Sequence, residues 1–591
     1  MSAEGPPQGA NYSPYGGSAA AELVNEAASV GAVHYARSAP PRIWNKRVQR
    51  RARRLERAAT RLGARLTGKL VDADAIVALL EEAIEPADRV CIEGNNQKQA
   101  DFLARALTAV DRGRVYDLHI VQSVLALPEH LDVFERGIAS RLDFSFSGPQ
   151  AARLAKLAGN GQIAIGAIHT YLELFGRYFI DLTPDVALVA AQAADREGNL
   201  YTGPNTEDTP VIAEATAFKN GLVIAQVNEL IDVLPRIDIP SDWVDFVVQS
   251  PTPHYIEPLF TRDPAMISEI QVLMAMMAIK GIYAEYGVDR LNHGIGFDTA
   301  AIELLLPTYA ESLGLRGKIC RYWALNPHPT LIPAIEAGFV ESVHSFGSEL
   351  GMEDYIRARP DIFFTGSDGS MRSNRAFCQT AGHYACDMFI GSTLQIDLAG
   401  NSSTATLGRI AGFGGAPNMG SDARGRRHAT HAWLTAGREA HRGNGAAPRG
   451  RKLVVQMVET FREHMEPAFV ERLDAWDLAE SANMALPPIM IYGDDVTHIL
   501  TEEGIANLLF CRDDDEREQA IRGVAGYTAV GLSRDRVAVA KLRQRGVIRR
   551  AEDLGIDKRD ATRDLLAARS IKDLVRASGG LYRPPKRFRN W

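Results

Sequence analysis

The chain has 591 residues, 46% of them hydrophobic and 24% charged, an ordinary globular composition and too long for one hydrophobic core, so two or more α/β-sized domains are expected. A formal net charge of -7 is small for this length and leaves no whole-chain case for nucleic-acid binding. No apolar run reaches the roughly 18 residues of a membrane span, no secretory leader opens the chain, and the five cysteines (Cys91, Cys320, Cys378, Cys386, Cys511) lack CxxC spacing. The expectation is a cytoplasmic protein with reduced, buried thiols and no direct membrane insertion.

Residues 1–45 are rich in Gly, Pro, Ser and Ala and read as a disordered tail. KRVQRRARRLERAATRLGARL, residues 46–66, is a strongly basic helix with a thin Leu stripe. It is either a solvated face or a dock for an acidic partner. Short apolar runs then alternate with helical segments: ADRVCIEG, RVYDLHIV, RLDFSFSG, VALVAAQAA and GLVIAQVNEL are strands ending in polar turns, and QADFLARALTAV has a helical period. Such alternation argues for a mainly parallel sheet covered by helices, with chemistry at the strand ends. A second series follows the apolar helix MISEIQVLMAMMAIKGIYAEYGV, with RLNHGIGF, KICRYWALNPH, FVESVHSFG, DIFFTG, DMFIGSTLQID and PIMIYGDDVTHIL.

Both series carry the same local signature. Asp195 stands three residues before Gly198-Asn199, and Asp397 three before Gly400-Asn401, each after an apolar strand. Gly-Asn alone is only a turn signal; its recurrence in two similar series points to an internal duplication. The expected division is 1–45 tail, 46–255 first domain, 256–510 second domain and 511–591 charged helical extension closing on RPPKRFRNW. Residues 421–452, polar, basic and Gly-rich, read as a surface insertion.

Three Gly-containing turns are candidates for holding an anion or a developing oxyanion on backbone N–H groups: Gly94-Asn95-Asn96-Gln97 after Glu93, His293-Gly294-Ile295-Gly296, and Gly412 to Asn418 with Gly414-Gly415-Ala416 at its centre. None fits a dinucleotide or P-loop fingerprint, and no GxSxG elbow accompanies HGIG. His169, His293, His328, His344 and His428 sit at strand ends or in loops without metal-ligand spacing, so no metal is expected. Asn326-Pro327-His328-Pro329 is a rigid strand-end turn, and Glu349 lies in the Gly-flanked turn Ser345 to Gly351. As a functional residue Glu349 would be a nucleophile or base.

GNNQKQADFLARAL, GAIHTYLELFGRYF, ADREGNLYTGPNTEDTP, AQVNELIDVLPRIDIPSDWVDFVV, LNHGIGFDTAAIELLLPTY, GSELGMEDYIRARPDIFFTG, GSTLQIDLAGNSSTAT, GFGGAPNMG and YRPPKRFRNW resemble the malonate decarboxylase α-subunit family from about residue 45 to the end. More remotely the plan resembles coenzyme A transferases and the citrate lyase α subunit. In those families ADxxGNL and a V-x-E-I/L stretch close the first half, and a GIG loop and a GGA turn mark the second. The equivalents are Asp195/Gly198/Asn199, Val227 to Leu230, Gly294 to Gly296 and Gly414 to Ala416.

The resemblance implies two similar coenzyme A transferase-like domains with the site between their strand ends. It implies transfer of an acyl-carrier-protein thiol from acetate to malonate, the carrier bringing a dephospho-CoA-type arm and partner decarboxylase subunits acting on the malonyl thioester. Free malonate has no electron sink for decarboxylation; its thioester carbonyl supplies one. Many coenzyme A transferases use a Glu in an S-E-N-G turn, which is absent here. Two routes stay open: a glutamyl thioester on Glu349, or direct attack of malonate on the acetyl thioester to give a mixed anhydride. Under either, the turns at Gly94–Gln97 and Gly414–Ala416 are the expected oxyanion sites. Arg177, Arg372, Arg375, His293 and His328, with Gly294, Gly296, Asn326 and Asn199, are the expected substrate-binding set. The alternatives are a general short-chain acyl coenzyme A transferase and a non-catalytic scaffold subunit.

Overall fold

The structure, a computed structural model, describes residues 43–95, 98–422, 429–441 and 449–589. Asn96, Gln97, His428, most of the N-terminal tail and much of the 421–452 segment lie outside the described residues. Residues 1–53 and 54–591 separate as two compact units. The division falls inside the basic helix, which runs Ile43–Leu62 and ends where Gly63 takes φ +54°, a left-handed position that suits a residue without Cβ. In the first unit the described residues are the Lys- and Arg-rich beginning of this helix.

The second unit holds both large sheets. The first is built from β1 (Leu66–Thr67), β2 (Leu70–Val71), β3 (Arg89–Ile92), β4 (Leu118–Val124), β5 (Ala139–Phe146), β6 (Ala164–Ile168), β7 (Val186–Ala194), β8 (Leu200–Tyr201), β9 (Leu222–Leu230) and β10 (Phe246–Gln249). Its order is β1-β2-β10-β9-β7-β3-β4-β5-β6, with β8 beside β7. Every neighbour pair is parallel except β1 with β2 and β7 with β8. The second sheet uses β11 (Arg290–His293), β12 (Tyr322–Ala324), β13 (Ser342–His344), β14 (Met388–Gly391), β17 (Leu453–Met457), β18 (His498–Thr501), β19 (Gly504–Asn507) and β20 (Ile548–Arg549). Its order is β13-β12-β11-β14-β17-β18-β19-β20, parallel as far as β18 and antiparallel after it. A small ribbon pairs β15 (Gln395–Ile396) with β16 (Ser402–Ser403).

Why the strands read as continuous apolar runs is visible in where their side chains go. Along β7, Val186 and Leu188 enter one core cluster while Ala187, Val189 and Ala191 enter another. Along β17, Leu453, Val455 and Met457 enter one cluster and Val454 another. Both faces of each sheet are covered, as parallel sheets require, and the expected α/β class with mainly parallel sheets is what the chain adopts. The residues after 510 extend the second half: β20 pairs with β19, and Ala551, Ile571, Leu574 and Tyr582 complete its core.

The repeated Asp…Gly-Asn signature folds alike in both halves. Asp195 accepts from the Asn199 amide N–H (2.9 Å) and side chain (2.7 Å), and Asp397 accepts from the Asn401 amide N–H (2.9 Å) and side chain (3.0 Å). Gly198 and Gly400 take φ +89° and +83°. Each Asn then uses its side-chain oxygen to accept a distant amide, Ser241 N–H at 2.8 Å and Gly493 N–H at 2.9 Å.

Two buried devices join the halves. The loop Ala411 to Asn418 lies on the end of β5 and on the helix Tyr171–Ile180 that follows β6: Phe413 and Gly414 donate to the Ser145 carbonyl at 2.7 and 3.0 Å, Ser147 donates to Ala411 at 2.9 Å, and Leu172 donates to the Asn418 side chain at 3.2 Å. A Cβ on Gly412, at φ +79°, would stand 2.4 Å from the Ser145 carbonyl oxygen. The second device is Arg375, 0% exposed, which opens the helix Arg375–Ala385 and ion-pairs with Glu207 (2.6 Å) and Asp208 (2.8 Å) while bonding Ser123. Burial pushes the Asp208 carboxyl up to about 6 despite the pull of Arg375. Arg375→Met leaves two buried carboxylates without their cation, so the expected loss is about 3–5 kcal/mol. It should appear as a lower midpoint in thermal or urea unfolding; an unchanged midpoint would show that this pair does not hold the halves.

Candidate active site

Between the sheets lies a cleft of about 740 Å³, a size that admits a small acid and the end of a thioester arm. Its walls are the end of β5, the connector Glu257 to Asp263, the ends of β11, β12 and β14, the loop Ala411 to Ala416, and Arg587 and Phe588 from the C-terminal tail. The wall is mainly apolar, with a few polar groups converging on it. A second cavity of about 720 Å³ shares Gly148, Pro149, Ser392 to Leu394 and Arg409 with the cleft.

Strand β11 delivers the first functional group, because it ends at His293 and turns through Gly294-Ile295-Gly296 into the helix Phe297–Leu305. The turn is tight: a Cβ on Gly294 would stand 2.9 Å from the Cα of Gly391. Gly294 N–H donates to Ile390 at 2.7 Å, whereas the N–H groups of Ile295, Gly296 and Phe297 have no acceptor among the described residues. They stand at a helix N-terminus on the cleft wall, where unpaired amides and the helix dipole favour negative charge.

Below this turn is a buried carboxylate with two imidazoles. Glu303, 0% exposed, accepts from His293 Nδ1 at 2.9 Å, His328 Nδ1 at 2.8 Å and the Thr330 hydroxyl. Burial works against its charge, but His328 and then His293 hold the carboxyl well below the usual range. His293 also has the Tyr283 hydroxyl on Nε2 at 2.9 Å and packs edge-on to Trp323, so both ring nitrogens are engaged. His328 differs. It stacks on Phe260 at 5.1 Å, lines the cleft, and its Nε2 has no partner among the described residues.

Of the remaining sequence candidates, Asn326, Gly294, Gly296, Gly414, Gly415 and Ala416 line the cleft with His293 and His328. Gly414 N–H is used by Ser145 and Ala416 N–H by Phe413, which leaves the Gly415 amide as the open donor of that turn. Gly94 and Asn95 are not on the wall. Gly94 lies against β4, where Val124 donates to it at 2.6 Å, and Asn95 is buried with its side chain on Glu93. Asn199 locks its own turn, Arg177 grips Asp181 (Nε at 2.9 Å), Arg372 faces Asp368 at 3.3 Å, and Arg375 is saturated by Glu207 and Asp208.

Glu349 is 0% exposed and outside the cleft wall. Its Oε1 accepts from Phe260 N–H (3.2 Å), Thr261 N–H (2.9 Å) and the Thr261 hydroxyl (2.7 Å). The carboxylate therefore holds the connector whose next residue, Arg262, is on the wall. Arg262 and Glu303 had no motif of their own in the chain, whereas the Ile295 amide lies in the GIG turn that the sequence offered. The signals that could have found Arg262 and Glu303 are a basic residue in the connector between the two sheets, and a Glu on the buried face of the helix after GIG. Cys378 is also on the wall, but burial pushes its thiol up and it donates to the His344 carbonyl at 3.3 Å, so it offers no thiolate. No cluster of three or more His, Cys, Asp or Glu capable of holding a metal occurs among the described residues. No helix among them is long and apolar enough to cross a membrane.

A family model described as "Malonate decarboxylase, alpha subunit, transporter" matches residues 43–591. The acetyl-S-ACP:malonate ACP transferase of Malonomonas rubra is 64% identical over 526 residues, covering 88% of this chain and 95% of that protein. The crystal structure of a Pseudomonas malonate decarboxylase hetero-tetramer in complex with malonate superposes with a TM-score of 0.88 at 60% identity, covering 93% of this chain and 100% of the matched one. At 16% identity, the citrate lyase α subunit of Streptococcus mutans in complex with citrate gives a TM-score of 0.55 over 81% and 85% of the two chains, a likeness of fold.

Glu349 provides the first chemical test. Glu349→Ala strands the Phe260 and Thr261 amides at about 1–3 kcal/mol per donor, and Glu349→Gln, which keeps an acceptor, is expected to lose less stability and less activity. After incubation with an acetyl thioester and a trapping nucleophile, the peptide containing Glu349 should keep its native mass; a trapped adduct there would restore it as the covalent carboxylate.

Proposed function

The chain belongs to the malonate decarboxylase α-subunit family, and on that premise we propose that it is the transferase of a multisubunit assembly, exchanging the acetyl group on an acyl carrier protein for a malonyl group. The observation that carries this reading is the identity shared along nearly the whole chain with the Malonomonas rubra transferase. The carrier presents its thioester on a dephospho-CoA-type arm, and partner decarboxylase subunits act on the malonyl-carrier.

The chemistry follows the direct route. A malonate carboxylate oxygen attacks the acetyl carbonyl, the carbon–sulfur bond breaks, and the carrier leaves as a thiolate from a mixed anhydride. That thiolate attacks the malonyl carbonyl of the anhydride and expels acetate. One thioester is exchanged for another, so no ATP is needed. Each addition places negative charge on a carbonyl oxygen. The amides of Ile295 and Gly296 receive it at the helix N-terminus, and the imidazolium form of His328, paired with Glu303 through Nδ1, donates from Nε2. Glu303 does not touch substrate; it positions the ring.

Support for the direct route comes from Glu349, enclosed by three donors away from the wall. Purified protein given acetyl-carrier and malonate should form malonyl-carrier and acetate in equal amounts. The reading fails if no malonyl-carrier forms. His328→Ala is expected to lower kcat by about 10²-fold or more, with Glu303→Gln intermediate because the ring remains but loses its anchor. Equal loss in both variants would assign the effect to Glu303 and the fold around it.

A further inference from the structure

We infer that Arg262 holds the malonate carboxylate that does not react, and so selects a dicarboxylate as the acceptor. The inference rests on the transfer reaction proposed above. In that reaction one carboxylate becomes the acyl group and the other passes through unchanged as an anion. Acetate, the product, has only one. A cation matched to the second carboxylate therefore discriminates between the acid that should enter and the acid that should leave.

The other candidate arginines are committed elsewhere. Arg177, Arg372 and Arg375 face Asp181, Asp368, and Glu207 with Asp208. Of those on the cleft wall, Arg587 is paired with Glu257 at 2.9 Å, and Arg409 stands exposed at the junction with the second cavity. Arg262 is partly buried, and among the described residues it has no carboxylate within ion-pairing distance.

Its geometry suits the task. Nη1 donates to the carbonyls of Leu259 (2.8 Å) and Thr261 (3.0 Å), which uses both hydrogens of that nitrogen and fixes the guanidinium plane. The Nε–Nη2 edge, the edge that pairs side by side with a carboxylate, is uncommitted among the described residues. The group lies 5.7 Å from the centre of the Phe297 ring, and Phe297 is the first residue of the helix whose N-terminal amides face the cleft. A malonate carboxylate at those amides leaves the other, one methylene away, within reach of Arg262. A guanidinium in a mainly apolar wall without a counter-ion is costly, and burial lowers its proton affinity despite the fields of Glu349 and Glu303. A bound carboxylate removes that cost.

The test compares two reactions of the assembled complex: malonyl-carrier formation from malonate, and exchange of labelled acetate into acetyl-carrier, which needs no second carboxylate. Arg262→Gln should lower kcat/KM for malonate by about 10- to 150-fold, mainly through KM, with acetate exchange falling at least tenfold less. Arg262→Lys should recover part of the selectivity, since a point charge replaces the fork, and because it retains the charge it separates lost recognition from lost folding. A parallel fall of both reactions in both variants, as expected if Arg262 served the fold or bound the carrier arm, overturns the inference. Unchanged malonate kinetics in Arg262→Gln overturns it as well. Wild-type protein that exchanges acetate but forms no malonyl-carrier overturns the transfer reading itself, before any variant is made.

Discussion

Arg375 belongs to the second half of the molecule but has its counter-charges in the first. A guanidinium at 0% exposure must keep carboxylates beside it, and here they are Glu207 and Asp208, in the turn leading into the helix Thr209–Phe218. The requirement brings the helix Arg375–Ala385 against the first half. With the loop Ala411 to Asn418 hydrogen-bonded to the end of β5, it sets how far apart the two sets of strand ends can stand. The cleft is the space left between them, and its width follows from pairs that never enter it.

Within that space, buried carboxylates act on the chemistry at one remove. Glu349 satisfies the backbone of Phe260 and Thr261 and so orients Arg262. Glu303 binds two imidazoles, spends His293 on structure and leaves the far nitrogen of His328 open. Neither carboxylate reaches the cleft. This division suits a reaction whose reactants carry their own nucleophiles, a carboxylate and a thiolate. Under the proposed direct route the protein must provide places for negative charge to arrive, and the amides of the GIG turn, His328 and Arg262 on the cleft wall are the groups offered for it.

Several features were legible in the chain before any fold was known. Apolar runs alternating with helical periods predict covered parallel sheets, because strands buried on both faces cannot show polar alternation; Val186 to Ala191 are an instance. The paired Asp195/Asn199 and Asp397/Asn401 turns were legible because each is local, an Asx side chain bonding amides within four residues. The GIG turn and the Asn326 to His328 turn were found as strand ends for the same reason. Roles were not legible. His293 and His328 look alike in sequence, yet one has both nitrogens engaged in the core and the other is open. Arg375 reads as a substrate cation in sequence, but the fold pairs it with Glu207 and Asp208, whereas Arg262 faces the cleft. Gly94 and Asn95 have the composition of an anion-binding turn, but Gly94 lies against β4 and Asn95 is buried on Glu93.

The sequence by itself determined the element pattern, the duplicated turns and the membership in a family, since these rest on short-range periodicity, on backbone conformations that particular residues favour, and on long stretches of shared residues. Which polar groups meet substrate was decided by the tertiary structure. A charged side chain's role depends on whether its counter-charge is another residue or an incoming ligand, and the partners concerned lie far apart along the chain: Glu349 is 88 residues from Thr261 and Arg375 is 168 from Glu207. Only folding brings those charges to their partners and leaves Arg262 without a carboxylate partner among the described residues.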